Sequence, residues 1–152
     1  MTDIAKKTIA IGSDHSGFRL KEILKVHLRD QGHEVNDCGT FGEKSVDWPV
    51  IAREVAQQVG SKKFSFGIIV DGAGIGSAMV ANKVPGVRAA MCYDQATALN
   101  SREHNNANVL TLGAGMIEAS TARQIVLTWL NTNFGGGRHA RRVDKIMNIE
   151  RK

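Results

Sequence analysis

Apolar positions along the chain alternate between two patterns. Thr8-Ile9-Ala10-Ile11-Gly12, Phe66-Gly67-Ile68-Ile69-Val70 and Asn108 to Leu112 are short apolar runs of the kind found in strands buried on both faces. Val87 to Cys92 predicts a further strand, and His33 to Asp37 a weaker one. Between these runs the apolar positions recur at helical spacing. Leu20, Ile23, Leu24 and Leu28 form one stripe, with Ser16 as its expected N-cap and Gln31-Gly32 as its stop. Val50, Ile51, Val55 and Val59 form another behind Pro49, which suits a first helical turn. Ser77 to Asn82 predicts a short helix of small residues, and Asp94 caps one running to about Glu103. Ala122, Ile125, Val126, Trp129 and Leu130 mark the last long helix. Gly135-Gly136-Gly137 breaks it and leaves a basic tail from Arg138 to Lys152.

Strands spaced by helices imply parallel βαβ units, hence a three-layer α/β/α sandwich around a five-stranded parallel sheet. Such sheets bind ligands at the carboxyl ends of their strands, near a topological switch point. That rule singles out Asp14 and His15, Asp71 with the glycines after it, and Asp94. The chain length of 152 residues fits one domain, 1–152, and 42% hydrophobic with 23% charged residues excludes disorder. No apolar run has transmembrane length, and Met1 to Lys7 is too short and polar for a secretory signal. Cys38 and Cys92 form no C-x-x-C pair, so a reduced, cytoplasmic setting is expected. The histidines show no H-x-x-x-H spacing, so neither a metal nor another cofactor is expected. The net charge of +5 suits an anionic partner, either a small phosphate or nucleic acid.

Gly72-Ala73-Gly74-Ile75-Gly76 carries the sharpest local chemistry. A glycine-rich turn between strand and helix presents backbone N–H groups to an anion. It matches no nucleotide pattern: Ser77 stands where both a Walker loop and G-x-G-x-x-G need glycine. The loop therefore reads as an anion or oxyanion cradle, or as a tight turn for close helix–sheet packing. Asp14 and His15 read either as paired titratable groups or as a helix cap beside a solvated imidazole. His104 reads as a catalyst or a surface residue. Arg138 and Arg142, one helical turn apart, could clamp a phosphate or belong to a solvated tail. Cys92 reads as a buried small hydrophobe.

Together these segments are similar to the ribose-5-phosphate isomerase B and galactose-6-phosphate isomerase family. The similarity lies in Gly12-Ser13-Asp14-His15-Ser16-Gly17, Asp47-Trp48-Pro49, and Gly72 to Gly76 continuing through Ala81 to Ala90. It continues in Arg102 to Val109 and in Gly136-Gly137-Arg138-His139. The blocks stand in family order from about residue 8 to residue 146. The resemblance implies a Rossmann-like fold, a homodimer or homotetramer with the site shared between subunits, and metal-free interconversion of an aldose phosphate and its ketose. It implies that His104 opens the sugar ring with Asp14 nearby and that Asn105 contacts the opened chain. Gly72, Gly74 and Gly76 would stabilise an enediolate through their backbone, and His15, Arg138 and Arg142 would hold the phosphate.

The chain departs from the family pattern at several points. Asp71 stands in place of the usual cysteine base, and Ala73 in place of a threonine or serine. Ser77 stands where some members carry a glutamate base. Gly115 replaces an arginine, and Trp48 replaces a tyrosine. Asp71 is the replacement base if the chain acts alone. The loop is also similar to that of the galactose-6-phosphate isomerase A subunit, which would make the chain a sugar-phosphate-binding partner of a cysteine-bearing sister subunit. A nucleic-acid-binding module is the remaining rival, but aromatics are 5% and no recognition motif occurs.

Overall fold

The computed structural model describes residues 5–151; Met1 to Ile4, part of the segment read as too short and polar for a secretory signal, and Lys152, the last residue of the basic segment, lie outside it. In chain order the elements are β1 (Thr8–Ser13), α1 (Phe18–Asp30), β2 (Glu34–Asp37), α2 (Trp48–Gly60), β3 (Phe66–Asp71) and α3 (Ile75–Ala81). They continue with β4 (Ala89–Met91), α4 (Gln95–Glu103), β5 (Val109–Gly113), α5 (Ala119–Asn131) and α6 (Arg138–Asn148). The five strands form one parallel sheet in the order β2-β1-β3-β5-β4. From β1 the chain crosses first to β2 on one side and then back to β3 on the other. The switch point is therefore the crevice between the carboxyl ends of β1 and β3, where Ser13 pairs with Val70.

The period-two alternation of each strand feeds two core layers. Ile9, Ile11, Ile68, Val70, Leu110 and Leu112 pack with Leu24 and Leu28 of α1 and with Ile125 and Trp129 of α5. Ala10, Ile69 and Val109 pack on the other face with Ala52, Val55 and Val59 of α2. Trp129 is fully buried, edge-on to Phe66 at 5.3 Å between centroids.

Three expectations need correcting. The basic segment is a helix rather than a tail: Val143, Ile146 and Met147 give it a narrow apolar stripe. Its far end is tied down by Glu150, whose carboxylate accepts the Gly86 N–H at 3.1 and 3.2 Å. Ser16 does not cap α1, because the helix begins one residue later with Gly17 in the N-cap position; the Ser16 hydroxyl donates to Asp14 Oδ1 at 2.6 Å. The fourth strand is shorter than its apolar run, ending at Met91 on the outer edge of the sheet. The expected Asp94 cap is present, reciprocated by Thr97 in a capping box.

One buried charge sets the loop between β2 and α2. Lys21 Nζ, fully buried, donates to both Asp37 oxygens at 2.7 and 2.8 Å and to the Thr40 carbonyl at 2.6 Å. Burial opposes ionisation of Asp37, but hydrogen bonds from Lys21 and Lys25 outweigh it and hold the carboxyl below the usual range. Thr40 N–H in turn donates to the Ser13 carbonyl at 2.8 Å, so the ion pair braces the end of β1.

Candidate active site

The β1–α1 turn is pressed onto β3. Asp14, 6% exposed, donates its N–H to the Val70 carbonyl at 3.2 Å, and its Oδ1 accepts from Gly17 N at 2.9 Å as well as from Ser16. A Cβ on Gly17 would stand 2.2 Å from the Val70 carbonyl oxygen, so only glycine permits this approach. His15 projects from the turn into solvent, and its Nδ1 accepts from Val46 N at 3.4 Å.

The glycine loop faces this turn. A Cβ on Gly72 would lie 3.6 Å from Ser16 Oγ. Asp71, also 6% exposed, reaches across its own loop: Oδ1 accepts from Gly74 N at 2.6 Å and Oδ2 from Ser77 N at 3.2 Å. Gly74 is left-handed, with φ of 76°, and its carbonyl accepts from Thr111 Oγ1 at 2.7 Å. The carbonyls of Asp71 and Gly72 accept from Ala114 N and Gly115 N at 2.8 and 3.0 Å. These bonds fix the loop, and no hydrogen bond among the described residues engages the N–H groups of Gly72, Ala73, Ile75 or Gly76. The result is a rigid set of unpaired amides beside two buried carboxylates, as an oxyanion cradle requires. The Trp48 indole closes one wall, so close to Gly76 that a Cβ there would be 2.5 Å from its ring.

The remaining predicted residues form a separate group. His104 caps the C-terminus of α4, and Asn105 follows it. His104 stacks on His139 of α6, with centroids 4.2 Å apart and planes 13° from parallel. Arg138 and Arg142 are exposed on the same helix. The group sits at the amino edge of the sheet: Asn108, four residues on, accepts from Gly67 N near the start of β3, and Gly135 N donates to the Glu103 carbonyl. Asp71 lies at the far end of β3, about 13 Å of strand away. Within one chain, then, Asp14, His15, Asp71 and the glycines come together, while His104, Asn105, Arg138 and Arg142 do not join them.

Sequence reasoning missed Asn100. Its side-chain amide lies 3.1 Å from His104 Nδ1, and its Oδ1 accepts from Asn105 Nδ2 at 3.1 Å. The i, i+4 spacing on α4 was the available signal. Asp94, on the suspect list as a strand-end acid, is occupied as a helix cap. Neither thiol replaces the missing cysteine base. Burial pushes the Cys38 thiol up to about 11 and raises that of Cys92, and both side chains lie outside the glycine loop. Among the described residues no group of three or more His, Cys, Asp or Glu could hold a metal ion, and no helix is long and apolar enough to cross a membrane.

The model of the ribose/galactose isomerase family matches residues 9–146. This chain belongs to that family. It is 40% identical to ribose-5-phosphate isomerase B of Escherichia coli strain K12, over 96% of this chain and 98% of that protein. Ribose-5-phosphate isomerase B of Clostridium thermocellum superposes with a TM-score of 0.93 at 48% identity, covering 95% of this chain and 97% of that one. The Mycoplasma genitalium enzyme, solved with bound ribulose-5-phosphate, gives 0.92 at 41% identity over 95% and 97% of the two chains. The family's Rossmann-like sandwich is thus the fold of this chain. Within the family these relatives carry the ribose name, and none of those described here is a galactose-6-phosphate isomerase subunit.

Proposed function

We propose that this protein is a metal-independent isomerase that interconverts ribose 5-phosphate and ribulose 5-phosphate, with each site built from two copies of the chain. The observation that carries the reading is the set of unpaired amides at Gly72, Ala73, Ile75 and Gly76, fixed beside Asp71 and Asp14 in the β1/β3 crevice; the Gly74 amide, expected to join them, is instead taken by the Asp71 carboxylate. In the reaction His104 takes the anomeric hydroxyl proton and passes it to the ring oxygen as the C1–ring-oxygen bond breaks, with Asp14 close by. The opened aldehyde lies along Asn105. Asp71 takes the C2 proton and returns it to C1, and the 2-hydroxyl proton passes to O1. The loop amides stabilise the enediolate between these transfers. Carboxylate bases serve this chemistry in triosephosphate isomerase. The two N–H groups on Asp71 hold its carboxylate still, and each oxygen keeps a lone pair for the substrate. His15, Arg138 and Arg142 hold the phosphate through charge-assisted hydrogen bonds.

The two-copy site is supported by the separation of the groups. In a two-fold dimer the amino-edge residues of one copy can face the carboxyl edge of the other. An apolar groove of about 730 Å³ along the outer edge of β4 is lined by Met91, Ala96, Asn105, Ile146 and Ile149, and a second copy would cover it. A cytoplasmic setting agrees with two free thiols. The test is direct: the pure protein, alone, is incubated with ribose 5-phosphate and followed by NMR. Appearance of ribulose 5-phosphate, unaffected by chelators, is expected. An inactive homo-oligomer that gains activity on mixing with a cysteine-bearing relative would replace this reading with the partner-subunit one.

A further inference from the structure

We propose that His139 is a positioning residue for His104, a flat platform that holds the His104 ring in the orientation for opening the sugar. The inference rests on the isomerase reading above. His104 stands on the last turn of a helix at the protein surface, where an unsupported imidazole turns freely about both of its side-chain torsions. Proton transfer from the anomeric hydroxyl needs a ring nitrogen within about 3 Å and correctly aimed, so a fixed ring removes an entropic cost from that step.

The fold supplies the fixing in two places. His139 covers one face of the ring at 4.2 Å and 13°. Asn100 Nδ2 meets one edge at Nδ1, 3.1 Å away, and Asn100 is itself held by Asn105. The Gly135 N–H to Glu103 carbonyl bond, 2.9 Å, locks the end of α4 to the start of α6, which makes the stack a property of the backbone frame. The His104 side chain nonetheless keeps 42% of its surface exposed. The charged groups around the pair are Glu103 on α4, whose Oε1 lies 3.6 Å from His104 Nε2, and Arg138 and Arg142 on α6. In the two-copy site they are joined by Asp14, His15 and Asp71 of the second copy. Desolvation, with the charges of His104, Arg138 and Arg142, pushes the His139 pKa below its usual value.

The test uses the full-length protein, His139→Ala and His139→Phe, each assayed for kcat and KM with ribose 5-phosphate. Circular dichroism establishes that both variants keep the parental fold. His139→Ala removes the platform and should lower kcat at least ~10-fold, with KM, set by the phosphate contacts, within ~3-fold of the parent. His139→Phe keeps a flat ring and should restore kcat to within ~3-fold. An unchanged kcat in the alanine variant, an effect confined to KM, or equal losses in both variants would overturn the platform role. A parent that fails to isomerise ribose 5-phosphate would count against the isomerase reading and take this role with it.

Discussion

At the carboxyl edge of the sheet the candidate chemistry is mostly backbone. Amides of a glycine loop are pinned by Asp71, Thr111 and the β5 turn, and both carboxylates there are 6% exposed. At the amino edge it is side chains on helix ends: Arg138, Arg142 and Asn105 are exposed, and His104 is steadied by one stack and one amide. The first region is complete within one chain and preorganised by the sheet. The second presents its cations and an imidazole on exposed helix ends. On the two-copy reading proposed above, the buried edge would hold the transition state, while the exposed edge would open the substrate and share the phosphate with His15.

Substitutions at the two edges should fail in different ways. The largest effect is expected at the buried edge. Asp71→Asn keeps the shape and at least the Oδ1 acceptor for Gly74, so the loop survives, but the base is lost. Turnover should fall at least ~100-fold with KM nearly unchanged. Full activity in this variant would place the base elsewhere. At the exposed edge, Arg142→Ala should weaken binding of ribose 5-phosphate and of inorganic phosphate about tenfold or more. That corresponds to the ~1.5–3 kcal/mol of a charge-assisted contact. Calorimetry showing parental affinity for both ligands would remove Arg142 from the phosphate site.

Smaller effects probe the frame. Gly76→Ala drives a Cβ to 2.5 Å from the Trp48 indole and should cost about 1–3 kcal/mol in urea unfolding. Combining it with Trp48→Ala should recover part of that loss, and no recovery would show that the clash lies elsewhere. The smallest effect belongs to histidines outside both edges. Burial lowers the pKa of His27 and of His33, with Arg123 adding to the first and Lys7 to the second. The unfolded chain, with ordinary imidazoles near 6.5, then binds more protons than the folded one as pH falls. Stability should be flat above about pH 6.5 and decline below it. Replacing both histidines with glutamine should flatten that decline, and an unchanged slope would assign it to other groups.

Much of the carboxyl edge is legible in the sequence because it is local. A buried strand ending in Asp71 and a glycine run predict a cradle from a handful of consecutive residues, and the alternation of strands and helices predicts the layers. What is hidden is non-local. The insertion of β5 between β3 and β4 leaves no mark on apolar periodicity, since both are short buried runs. The basic segment hides helix α6, whose apolar stripe is too narrow to stand out among its arginines. Ser16 fits the N-cap preference, yet the helix starts one residue later, at a Gly17 whose N–H the Asp14 carboxylate accepts. Asp71 itself is predicted as a base with no sign of the two amides that anchor it, because they lie across a turn whose shape depends on Gly74.

The central claim is that each site takes one edge from each of two copies, and subunit complementation tests it. Asp71→Asn and Arg142→Ala proteins, each with low activity at subsaturating substrate, are unfolded together, refolded in equal amounts and assayed for ribose 5-phosphate isomerisation. If the site spans two copies, a mixed dimer has one site carrying both lesions and one carrying neither. Random pairing then restores about a quarter of the parental activity. If each site lies within a single chain, every site keeps one lesion, and the mixture stays at the average of the two variants.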